Sequence, residues 1–102
     1  MKANRSTVFT VLVIAAIEGL LAQDLLLSRT IGLNGAILCF AGAALLAIAE
    51  IAKKIDMTGY RAFVYSSLVI ASIGFGVTSS DGINLLNFAM LLLTLGYVAM
   101  RN

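Results

Sequence analysis

One carboxylate stands where water should be scarce. Glu18 interrupts the apolar run TVFTVLVIAAIEGLLAQDLLL. A charged group near the middle of such a segment costs about 3 kcal/mol on insertion scales, so by default it marks an ion or substrate site. The plainer reading is a carboxyl that is protonated, or hydrogen-bonded at a helix interface. Gln23 and Asp24 follow within two turns and extend a polar stripe with Glu18 and Ala22, which makes this the least lipid-like stretch of the chain.

Other chemistry is sparse. Histidine is absent, which removes the usual neutral-pH acid–base group and the commonest metal ligand. The single Cys39 lies in GAILCFAG and reads as a small buried apolar residue. No phosphate-binding glycine loop, metal-ligand cluster or nucleophile–base pair can be found. The chain is therefore expected not to be an enzyme and to need no cofactor beyond bound membrane lipid. Glu50 precedes Lys53 and Lys54 by three and four residues, a spacing that suits local ion pairs. Lys53, Lys54 and Arg61 concentrate positive charge in one segment, KKIDMTGYR. Such a loop binds lipid headgroups. Repeated by symmetry, it could also line a passage for polyanions.

The elements that carry these residues follow from composition. Of 102 residues 61% are hydrophobic and only 12% charged, with a mean hydropathy of +1.03. A soluble domain is roughly 45–50% apolar and 25% charged. Four apolar segments, 7–27, 31–52, 62–79 and 83–100, contain 21, 22, 18 and 18 residues. A membrane span needs about 20. Runs such as AALLAIA and AMLLLTL do not alternate as barrel strands would, and lipid leaves helices as the other solution. The expected fold is all-α, a single membrane-helical domain over 1–102. Short connections lie at 28–30 and 80–82, with Ser80 or Asp81 as N-cap of the last helix. Lys2, Arg5, Lys53, Lys54, Arg61 and Arg101 fall on one side of four spans and Arg29 on the other. That bias places the termini and the basic loop in the cytoplasm. The basic start MKANR and the apolar stretch after it resemble a secretory signal, but Leu20 spoils the cleavage pattern, and the segment reads as retained. Asn4-Arg5-Ser6 forms a glycosylation sequon on that same side and carries no weight.

Small residues recur where helices would meet. Gly35, Gly42, Ser72 and Gly76 lie within small-xxx-small faces that let backbones approach closely. Association with copies of itself is the expectation.

Two families share these patterns. AILCFAGAALLAIAEIA, KKIDMTGYR and AFVYSSLVIASIGFGVTSS resemble the two helices and basic loop of conjugative, type IV secretion-like mating-pilus pilins. The resemblance covers under half the chain, and such pilins lack the first and fourth segments. It implies a structural subunit drawn from the membrane, often with lipid, into a helical tube. Lys53, Lys54 and Arg61 would face a lumen through which single-stranded DNA passes. The length and the four segments also resemble the small multidrug resistance transporters. There Glu18 would be the coupling carboxylate, Tyr60 and Phe63 would match an aromatic pair, and Gly96 would fit the last helix. Phe63 stands where a tryptophan is usual, the usual prolines are missing, and the cation bias opposes dual topology. An accessory subunit of a larger membrane complex is the third alternative.

Overall fold

The computed structural model describes residues 5–27, 32–77 and 81–101. These form four helices: α1 (Arg5–Leu26), α2 (Gly32–Ile51), α3 (Arg61–Val77) and α4 (Asp81–Arg101). The fold is all-α. The connection at 28–30, the Ser80 cap, the sequon at Asn4, and the cations Lys2 and Arg29 lie outside the described residues.

Each helix buries about one residue per turn. On α1 these are Thr10, Ile14, Ile17 and Leu21; on α2 Gly35, Cys39, Gly42 and Leu46. On α3 they are Val64, Leu68, Ala71 and Phe75; on α4 Asn84, Asn87, Leu91, Thr94 and Val98. Such spacing turns one stripe of each helix inward. The helices close a ring in which α1 packs on α2, α2 on α3, α3 on α4, and α4 back on α1.

Two contacts give the direction of travel. The Asp56 amide donates to Ser6 Oγ at 2.7 Å, which ties the α2–α3 loop to the start of α1. Phe63 stacks on Tyr97, with ring centroids 4.3 Å apart, which joins the start of α3 to the end of α4. Neighbouring helices therefore run antiparallel.

The outside is greasy. Leu12, Phe40, Ile48, Ile70 and Leu93 are more than half exposed, and every helix contributes such residues. Water would not tolerate that belt, whereas acyl chains would. The longest dimension, 37 Å, suits a hydrocarbon layer of about 30 Å plus its interfaces. Arg5–Asp24, Gly32–Ile51 and Gly82–Met100 are long and apolar enough to cross a membrane. The chain is a membrane protein by these helices. α3 is an apolar helix of 17 described residues, and residues 78–79 of the expected third segment lie outside the described residues.

The basic loop explains how α2 stops. Lys53 adopts a left-handed φ of 59°, and the amides of Lys53 and Lys54 donate back to Glu50 and Ala49 carbonyls at 3.0 and 2.9 Å. This pairing satisfies the last helical carbonyls and turns the chain away. Ile55, Met57 and Tyr60 then fold inward and are buried over the bundle's end. Asp56 Oδ1 accepts from the Thr58 hydroxyl at 2.6 Å and the Thr58 amide at 3.0 Å.

Those bonds, with help from the charge of Arg61, hold the Asp56 carboxyl below the usual carboxylate range. A depressed folded-state value stabilises the turn above the ordinary carboxylate pKa, and that support is lost as pH falls through the lowered value. Hydrogen exchange at the Thr58 amide should therefore speed up, beyond its intrinsic pH dependence, once the pH drops below the carboxylate range. Asp56→Ala should exchange fast at neutral pH as well. Equal protection in that variant would show that the turn stands without the carboxylate.

Candidate functional site

Apolar helices can bury a hydroxyl cheaply, because it bonds back to its own helix. Thr10, Ser67 and Thr94 do so, donating to the carbonyls of Ser6, Phe63 and Met90 at 2.8–2.9 Å. A carboxylate or a carboxamide has no such local outlet.

Glu18, Asn84 and Asn87 are 6%, 2% and 8% exposed. Each leaves a buried polar atom without a partner: Glu18 Oε1, Asn84 Oδ1 and Asn87 Nδ2. Unpaired polar groups in a low-dielectric interior cost about 1–3 kcal/mol each and call for an explanation. Among the described residues the one ion pair is Arg61 with Glu50, so no cation neutralises Glu18 there.

Helix geometry brings Glu18 and Asn87 to a common depth. Glu18 lies thirteen residues from the start of α1, Gly74 thirteen from the start of α3, and Asn87 fourteen from the end of α4. At 1.5 Å rise per residue each is about 20 Å from the end carrying the basic loop. Asn84 is one turn further on. Gly74 confirms the layer from α3, since the Asn87 amide occupies the space its Cβ would need. The result is one buried acid at the level of Asn87 and within a turn of Asn84, in an interior made otherwise of side chains such as Ile14, Leu21, Phe75 and Leu91. Such a group can take up and release a proton, or hold a small cation. No group of three His, Cys, Asp or Glu that could hold a metal occurs among the described residues.

The polar stripe expected with Glu18 divides. Gln23 is exposed and Asp24 half-buried, and together with Asn34 they line a shallow groove between α1 and α2. Five and six residues past Glu18, at 100° per residue, they cannot share its face.

The Glu50 expectation also needs correcting. Its carboxylate pairs with Arg61 Nε at 2.6 Å and accepts from Tyr65 OH at 3.1 Å, rather than meeting Lys53 or Lys54. The left-handed turn at Lys53 takes both lysines out of helical register, while α3 returns Arg61 beside Glu50. Lys53 and Lys54 remain exposed.

The small residues serve contacts within the chain. Gly35 and Gly42 are buried, and a Cβ on Gly42 would collide with Ile17 Cδ1. Ser72 Oγ donates to the Ala36 carbonyl at 2.9 Å, and a Cβ on Gly76 would lie 3.5 Å from that of Ala36. Tyr60 is buried below the loop, whereas Phe63 is exposed and stacks on Tyr97. Gly96 meets nothing within 4 Å.

Asn84 and Asn87 escape a reading based on charge. Their signal is the i, i+3 recurrence of amides on the face that continues as Leu91, Thr94 and Val98.

Comparison of the chain with protein-family models, curated proteins and solved structures found no match.

Proposed function

We propose that the chain is a small membrane carrier in which Glu18 couples solute movement to the uptake and release of a proton. The observation that carries this reading is the buried Glu18 carboxyl, which lacks an ionic partner among the described residues and shares its depth with the Asn87 amide. An intramembrane acid facing a bundle interior belongs to proton and ion pathways far more often than to mere packing. The transporter resemblance drew on the same residue. Asn87 Nδ2 is a donor suited to the ionised acid, and Asn84 Oδ1 an acceptor suited to the protonated one.

Proteoliposomes enclosing a pH-sensitive dye test this. Adding membrane-permeant organic cations, one at a time, should move protons against the solute at rates above those of empty vesicles. If no solute in a broad cationic panel moves protons, the carrier reading fails.

Lys53 and Lys54, exposed together at one end, favour a second reading. In it, many copies assemble into a lipid-associated tube, with these cations toward single-stranded DNA. Arg61 contributes less to such a lumen because Glu50 holds it. Particle size in mild detergent separates the readings: dimers suit a carrier, long polymers a pilin-like tube.

A further inference from the structure

Two surface features meet at the basic end of α2 and α3. The first is an apolar furrow between these helices, walled by Phe40, Ala44, Ala47, Tyr65, Val69 and Ile73. Alanines on α2 leave it open where larger side chains would close it. Its lining is almost wholly apolar, as a hydrocarbon chain requires.

The second is a polar recess lined by Ser6, Glu50, Lys53, Lys54, Asp56 and Arg61. The two are joined: Tyr65 walls the furrow, and its hydroxyl donates to Glu50 in the recess.

Counting formal charges in the recess gives three cations against two carboxylates, but the carboxylates are already engaged. Glu50 is held by Arg61 Nε and Tyr65 OH, and Asp56 by the hydroxyl and amide of Thr58. Lys53 and Lys54 have no such partner among the described residues, and Arg61 is 54% exposed, with its terminal nitrogens outside the Glu50 bond. What remains free in the recess is positive. Free cations in a recess joined to an apolar furrow match a single amphiphile with an anionic head.

We propose that this site binds an anionic phospholipid, one acyl chain lying in the α2–α3 furrow and the phosphate at Lys53, Lys54 and Arg61. The inference does not depend on the carrier reading, because Glu18 lines neither the furrow nor the recess.

Native mass spectrometry of the full chain in mild detergent tests it, with phosphatidylglycerol and phosphatidylcholine of the same acyl chains as probes. Phosphatidylglycerol should be retained about thirtyfold over phosphatidylcholine, as two surface cations would give. Lys53→Gln with Lys54→Gln should bring that ratio close to one. Ala44→Phe fills the furrow from an exposed position and should reduce retention of both lipids. Val69→Trp repeats that test from the opposite wall. Equal retention of the two lipids by the unaltered chain overturns the proposal. So does undiminished retention in both furrow variants. Displacement of phosphatidylglycerol by millimolar inorganic phosphate overturns it too, since the recess would then be a site for free anions.

Discussion

Glu18→Gln should reduce pH-gradient-driven solute flux in proteoliposomes to the level of empty vesicles, while the purified variant becomes no less stable. Glutamine keeps the shape and the hydrogen-bonding reach of the side chain, but it cannot ionise. Membrane insertion should become easier by up to about 3 kcal/mol, the penalty for a central charge on insertion scales. Lost flux with retained stability is the signature of a group kept for chemistry and not for packing. Asn84→Leu and Asn87→Leu should each slow flux without abolishing it, because each removes one buried polar group near the depth of the acid while the other remains. Flux in Glu18→Gln equal to that of the unaltered chain would remove the residue from any coupling role, and the proposed carrier with it.

Gly74→Leu is expected to be the most destabilising single change on α3. A Cβ built on Gly74 would stand 2.8 Å from Asn87 Oδ1 and 2.9 Å from its Cγ, and closer still to Nδ2. The amide must then rotate out of its seat or α3 must draw away from α4. Overpacking of this kind costs about 1–3 kcal/mol. Thermal unfolding in detergent should show the loss, and flux should fall with it, because Asn87 can no longer keep its seat in the layer that holds the acid. Gly96→Leu provides the control. It meets nothing within 4 Å, lies on an exposed face of α4, and should change stability by no more than about 0.5 kcal/mol. Similar losses at both positions would mean that general helix effects, and not the Asn87 seat, set the cost.

Much of the fold was legible in the chain, because hydrocarbon allows few solutions and apolar runs announce them. Helix ends were harder. Arg5 and Ser6 look like flanking polar residues, yet α1 includes both, and the Ser6 hydroxyl holds Asp56 fifty residues away. Glu50 shows why local spacing misleads: i+3 and i+4 neighbours matter only while the helix continues, and Lys53 ends it. Glu18 was visible from its cost alone. Asn84 and Asn87 were not, since neutral amides lower hydropathy only slightly and their meaning depends on which helix faces them. The same holds for Gly35, Gly42 and Ser72, whose spacing advertises close packing without saying whether the partner is a sister copy or the next helix of the same chain.

The inward fold of Ile55, Met57 and Tyr60 acts as a stopper in one mouth of the barrel-shaped bundle, and the clasp from Ser6 to Asp56 keeps it seated. In the proposed carrier, a proton approaching Glu18 from the lysine-bearing side would first have to lift that cork. From the other mouth the acid is only eight residues, about 12 Å, from the end of α1. In the proposed carrier, a conformational cycle that opens the acid to the lysine-bearing face has to include the unseating of this plug.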